Sequence, residues 1–131
     1  MGNINRDCII ELLLEQPQYN KCFEILPGKP LQFFKHDRNQ TIYIIVKGNW
    51  NKELTLKMAI KNTETKHIIE YYPVLKGVEG DTHIFKVALS NEDILAIPGK
   101  YEFQFFILNG SGATKTVLSS NISDFKVKTC L

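Results

Sequence analysis

The feature that most restricts the fold of this chain is the stretch Ala96 to Gly112, AIPGKYEFQFFILNGSG. Pro98-Gly99 and Asn109-Gly110 are turn signals, and between them runs the longest aromatic strand pattern in the chain. Alternation puts Tyr101, Phe103, Phe105 and Ile107 on one face. Glu102, Gln104, Phe106 and Leu108 share the other, whose second half is apolar where solvent is expected. A strand with this much apolar surface has to be flanked by other strands and packed against a second layer.

The remaining sequence supplies them. Leu31 to Lys35 reads as a short strand and His36 to Asn39 as a polar turn. Thr41 to Lys47 (TIYIIVK) carries Ile42, Ile44 and Val46 on one face and Tyr43 and Ile45 on the other, the mark of a central strand. Gly48 to Asn51 turns. Leu54 to Ile60 alternates cleanly, with Leu54, Leu56, Met58 and Ile60 inward. Asn62 to Lys66 turns again. His67 to Leu75 contains Pro73, which cannot donate to a ladder, so this strand lies at an edge or breaks there. Gly77 to Asp81 reads as a loop and Thr82 to Leu89 as an alternating strand. Ser90 to Asp93 resembles a helix N-cap with acids in the first turn, and Ile94 to Ala96 could close one helical turn. A last strand region spans Thr114 to Lys128, with a break near Ser119 to Ser123. About seven strands with almost no helix predict an all-β, antiparallel β-sandwich over residues 31–131.

Residues 1–30 read as an N-terminal arm or a first strand. The apolar run Cys8 to Leu14 is too short to distinguish helix from strand. It either packs on its own domain or docks its leucines on a neighbouring subunit. Leu26-Pro27-Gly28-Lys29-Pro30 separates the arm from the strand series.

With 131 residues the length fits one domain, and 44% hydrophobic with 23% charged residues fits a globular one. The net charge is +2 and the lysines form no run, so the electrostatic footprint of a nucleic-acid binder is missing and no nucleic-acid partner is expected. The three cysteines Cys8, Cys22 and Cys130 lack CxxC spacing, which points to neither a disulfide framework nor a zinc site. The opening residues match neither a secretion signal nor a membrane span. The expectation is a soluble protein with reduced thiols, and no membrane partner. The sequons at Asn39 and Asn121 carry no meaning in that setting.

No arrangement in the sequence announces catalysis. His36, His67 and His83 lack metal-ligand spacing, and nucleophile-elbow, Walker and dinucleotide motifs are absent. Glu79 with Asp81, and Glu92 with Asp93, offer too few oxygens for calcium. No cofactor, metal or small-molecule ligand is expected, and no enzyme activity. Trp50, Tyr71 and Tyr72 are the candidates for a sugar-stacking platform, the alternative reading being a carbohydrate-binding β-sandwich module. The stronger signal is the apolar surplus on second strand faces, at Phe106 and Leu108 and at Tyr43 and Ile45, because a large bare apolar patch is usually an interaction site. Ile9, Ile10, Leu13 and Leu14 of the arm, together with Phe106 and Leu108, are the candidate partner contacts.

Gly99-x-Tyr101-x-Phe103 resembles the tyrosine corner of immunoglobulin-like domains, with Phe103 where a bridging cysteine would stand. A wider likeness covers about Thr41 to Lys128. Its best piece is Leu89 to Ile107, with Leu95, Pro98, Gly99, Tyr101 and Phe105 in the pattern, and its last strand ends at Phe125-Lys126-Val127. This resembles the N-terminal, immunoglobulin-like domain of phage upper baseplate proteins. The family's glycine-aspartate-threonine turn stands here as Arg38-Asn39-Gln40-Thr41. The resemblance implies an immunoglobulin-like sandwich and a non-enzymatic virion structural protein of tail, baseplate or head. Such a protein is oligomeric, has other virion proteins as partners, and is found in the virion and, during assembly, in the host cytoplasm. The family domain normally precedes a longer fibre-forming chain, so the expectation here is a stand-alone virion piece or a fragment.

Overall fold

A computed structural model describes residues 8–14, 22–28, 31–34, 40–48, 54–89, 97–109 and 115–128. Among these the regular structure is all strand. The strands are β1 (Ile9–Leu14), β2 (Cys22–Ile25), β3 (Gln32–Phe34), β4 (Gln40–Gly48), β5 (Leu54–Asn62), β6 (Ile68–Tyr71), β7 (Val74–Glu79), β8 (Thr82–Leu89), β9 (Gly99–Asn109), β10 (Lys115–Ser120) and β11 (Ser123–Lys128). Eleven strands replace the expected seven or so. The arm contributes its own, Tyr72-Pro73 divides β6 from β7, and Asn121-Ile122 divides β10 from β11.

The strands form one open sheet that curls into two wings. One wing has the order β1-β4-β8-β7. The other is built on β9, which pairs β5 along one edge and β10 and β11 along the other. β5 carries β6, and β11 carries β3. β2 joins the wings, antiparallel to β1 and parallel to β10. The sheet is therefore mixed, not wholly antiparallel as expected. Its three parallel pairings, β1–β4, β2–β10 and β3–β11, all involve the first three strands. Those strands occupy sheet edges that the hairpin-linked strands leave open, and the direction of such an edge is not dictated by a tight turn.

Alternation accounts for the core. Ile42, Ile44 and Val46 on β4, Phe85, Val87 and Leu89 on β8, and Leu56, Met58 and Ile60 on β5 meet Tyr101, Phe103, Phe105 and Ile107 on β9 in one buried cluster. Phe125 of β11 stacks on Tyr101 at 5.3 Å and meets Phe33 of β3 edge-on at 5.4 Å, so β3 is anchored by an aromatic contact as well as by its ladder. β1 adds Ile10, Leu12 and Leu14, with Cys8 just ahead of the strand, to the same cluster. The arm's ambiguous apolar run is thus a strand, laid parallel to β4 from Ile9 beside Tyr43 to Leu14 beside Gly48. Gly48 makes that end possible. Its φ is +124°, and a β-carbon there would overlap the backbone carbonyl of Leu14.

One turn is tighter than the sequence suggests, and another is shifted by one residue. The expected loop Gly77 to Asp81 shrinks to Gly80-Asp81, because Gly77, Val78 and Glu79 remain in β7 and pair Ile84, His83 and Thr82. A bulge at Lys76 keeps the ladder in step. At the β5–β6 turn the buried Asn62 accepts the backbone N–H groups of Glu64 and Thr65, both at 2.9 Å. A side chain that substitutes for the missing ladder partners in this way is an Asx turn. The proposed helical turn at Ser90 to Ala96 and the turns at His36 to Asn39 and Asn49 to Asn51 lie outside the described residues.

Candidate functional site

The outward faces of the two wings differ in chemistry. On the β9 wing, Lys57 stands opposite Phe106, Ala59 opposite Gln104 and Lys61 opposite Glu102. The Lys57 ammonium lies 5.0 Å from the centre of the Phe106 ring and 3.2 Å from Glu70, so the apolar ring is roofed by a charged side chain. Gln104 donates to the Ser120 carbonyl at 2.7 Å. This face is half-buried and polar.

The outward face of the β1-β4-β8-β7 wing is built differently. Register aligns Ile9, Tyr43, Lys86 and Val74 in one row and Glu11, Ile45, Ile84 and Gly77 in the next. A third row runs Leu13, Lys47, Thr82 and Glu79. Ile9 is 48% exposed, Tyr43 42% and Val74 60%, while Ile45, Ile84 and Leu13 are half-buried. The Glu11–Lys47 ion pair, 3.2 Å apart, lies beside them. The arm and the central strand together make this surface, because register sets Ile9 beside Tyr43, Glu11 beside Ile45 and Leu13 beside Lys47.

The expected contact residues therefore divide. Ile9 and Leu13 join Tyr43 and Ile45 on the outer face. Ile10, Leu14 and Leu108 are buried within the single chain, so their surface is already covered. Phe106 is half-buried beneath Lys57 on the other wing. Strand pairing places the arm beside β4 and β10, edge to edge with the sheet, and sends its Ile10, Leu12 and Leu14 into the common core. Ile84 and Val74 were not among the expected contacts. Ile84 was legible as the out-facing residue of an alternating strand. Val74 was hidden by its place after Pro73.

Of the sugar-stacking candidates, Tyr72 is 53% exposed, Tyr71 is half-buried against the core, and Trp50 lies outside the described residues. The adjacent tyrosines do not share a face. His67 is exposed and His83 half-buried on the core side of β8, and His36 lies outside the described residues. Cys8 is buried, whereas the side chains of Cys22 and Cys130 lie outside the described set. Among the described residues there is no group of three or more His, Cys, Asp or Glu side chains placed to hold a metal ion.

The Pro98-Gly99 turn has a defined local chemistry. The Tyr101 hydroxyl donates to the Ile97 carbonyl at 2.7 Å, and Gly99 takes a φ of +144° between them. Burial raises the Tyr101 hydroxyl pKa above 10.0, opposed by its hydrogen bond to the Asn62 side chain. The group is neutral and structural at ordinary pH.

Comparison with protein-family models finds no family that matches this chain, and comparison with curated proteins finds no match.

Proposed function

We propose that this chain is a non-enzymatic structural protein of a phage particle, a component of tail, baseplate or head, that works by protein–protein assembly. The observation that carries the reading is the apolar outer face at Ile9, Leu13, Tyr43, Ile45, Ile84 and Val74. Large exposed apolar surface on a small domain is most simply explained as surface that a partner covers. The phage assignment leans on the resemblance between Leu89 and Ile107, and other virion proteins or further copies of the chain are the partners it calls for.

The finer fold in this proposal is an immunoglobulin-like sandwich. Its support is the strand order β1-β4-β8-β7 facing β6-β5-β9-β11, with the chain changing wings between β4 and β5, β6 and β7, and β8 and β9. Tyr101, hydrogen-bonded back to Ile97, has the geometry of a tyrosine corner.

The test is incorporation. Purified particles of the virus that encodes the chain contain it, and Ile45→Lys, folded by circular dichroism, is left out of them. Absence of the wild-type chain from purified particles would sink the phage reading. Normal incorporation of Ile45→Lys would move the contact to another surface. The exposed Tyr72 supports a second reading, a carbohydrate-binding module. Glycan-array binding that disappears in Tyr72→Ala would favour it over assembly.

A further inference from the structure

We infer that two copies of this chain pair through the free edge of β7, strand against antiparallel strand about a two-fold axis. β7 ends the strand order of its wing, and among the described residues its ladder partner is β8 alone. Among the described residues no strand pairs its other edge, whose backbone N–H and C=O groups are a template for a further strand. The side chains along it are unusually apolar for an edge: Val74, Leu75 and Val78 are all exposed, and Ile68 and Tyr72 are exposed just before them. Five of the nine exposed large hydrophobic residues among the described residues thus fall between positions 68 and 78. Soluble domains usually protect such an edge with several charges. Here, among the described residues, the protection is one bulge and two charges of opposite sign, Lys76 and Glu79.

The strand is complementary to itself. Centring the two-fold axis on Gly77, with the bulge residue Lys76 outside the ladder, sets Val74 opposite Glu79 and Leu75 opposite Val78 of the other copy. The bulge matters for this, because it brings Leu75 and Val78 onto the same side of the sheet, opposite Phe85 and His83 in the existing ladder. Lys76 lies diagonal to Glu79 of the other copy, within reach of a long side chain. Both residues are exposed, and the two-fold axis makes the contact twice. An unrelated strand could supply the ladder, but a second copy supplies the apolar pairs and the charge pairs together. The paired sheet would run continuously through both copies and join their apolar outer faces into one surface. This names one contact within the assembly reading and rests on that reading only in taking the chain to be oligomeric.

Sedimentation velocity over a dilution series, on the full chain, tests it. Wild type shows a concentration-dependent dimer. Lys76→Glu and Glu79→Lys each put like charges together at two places and weaken the dimer on the order of tenfold. The double variant Lys76→Glu/Glu79→Lys restores the opposite-charge contacts and with them the wild-type affinity. Both side chains are exposed, so folding is not at stake. Ile45→Lys, on the outer face, leaves the dimer intact, which separates this contact from the one that governs particle incorporation. A wild-type chain that stays monomeric throughout, single charge reversals without effect, or a double variant no better than the singles would each overturn the inference. So would a dimer lost only in Ile45→Lys.

Discussion

The two wings bury the same kind of core and turn different faces outward. Over β5 and β9 the outer residues are two lysines, Glu102, Gln104, Thr55, Ala59, the buried Leu108 and a phenylalanine under an ammonium group. Over β1, β4, β8 and β7 half of the residues in the three aligned rows are Ile, Leu, Tyr or Val, set among the Glu11–Lys47 ion pair, Lys86 and Glu79. A sheet packed on one side usually alternates apolar-in and polar-out. The β9 wing follows that rule more closely, with Ile68 as its exposed apolar residue beside Lys61. The β1 wing departs from it on β1 and β4, whose inner residues Ile10, Leu12, Leu14, Ile42, Ile44 and Val46 are buried in the core, so the apolar outer residues of those two strands are surplus to folding.

The largest expected effect comes from removing what makes that face. Gly48→Ala puts a β-carbon onto the Leu14 carbonyl at a φ of +124°, where an L-residue is strained as well. β1 can stay beside β4 only if one backbone moves. The expected loss is about 3 kcal/mol of unfolding free energy, measured by urea denaturation. The variant also loses the line of Ile9 and Leu13 beside Tyr43 and Ile45, so any binding through this face falls with it. A stability within experimental error of wild type would show that β1 is not held as described.

How far the two wings could be foreseen differs in the same way. Leu56, Met58 and Ile60, and the four inner residues of β9, are strict alternations bounded by turns, and each strand has one partner close by in the chain, β6 for β5 and β10 for β9. Local pattern is enough there. The break at Pro73 was legible because proline cannot donate to a ladder. β1 was not legible as a strand, because a run as short as IIELLL suits helix or strand equally, and the open edge of β4 that decides the matter lies about thirty residues further along the chain. The bulge at Lys76 was hidden for a related reason. Nothing in VLKGVE marks an extra residue until Phe85 and Ile84 are set opposite it, so Gly77 looked like the start of a loop. The apolar surplus at Tyr43 and Ile45 was visible from the start. Its continuation through Ile9 and Leu13 needed the register.

A middle-sized effect belongs to the β9 wing. Tyr101→Phe keeps the ring stacked on Phe125 and removes the hydroxyl that donates to Ile97. The expected cost is about 1 kcal/mol. pH gives a second signature. Burial holds the folded-state pKa of Tyr101 above 10.0, so above that pH the unfolded chain loses this proton before the folded one does. The stability contributed by the neutral hydroxyl is complete below pH 10.0 and declines as pH rises from there through the folded pKa. Tyr101→Phe lacks that portion of the alkaline decline. Identical alkaline profiles for the two proteins would contradict the buried corner.

The smallest effect sharpens the comparison most directly, because each wing carries an ion pair of the same length. Lys57–Glu70 and Lys47–Glu11 are both 3.2 Å apart. On the β9 wing the Lys57 side chain is 18% exposed and Glu70 49%, whereas Lys47 is 47% exposed and Glu11 39%. Lys57 also rests on the Phe106 ring, which orders it before the pair forms. A partly sheltered and preordered lysine loses less entropy and is screened less by salt than an open one. Double-mutant cycles with Lys→Met and Glu→Gln at each site should give a coupling of about 0.5 kcal/mol for Lys57–Glu70, after allowing for the solvent that still reaches Glu70. For Lys47–Glu11 the coupling should be close to nothing, and high salt should erase the difference. That ordering holds only while the β1 wing is bare. If a partner covers Ile9, Tyr43 and Ile45, it also shields the ion pair beside them, and the Lys47–Glu11 coupling should rise toward that of Lys57–Glu70. Coupling that stays flat when the chain is assembled would mean the partner does not sit on this face.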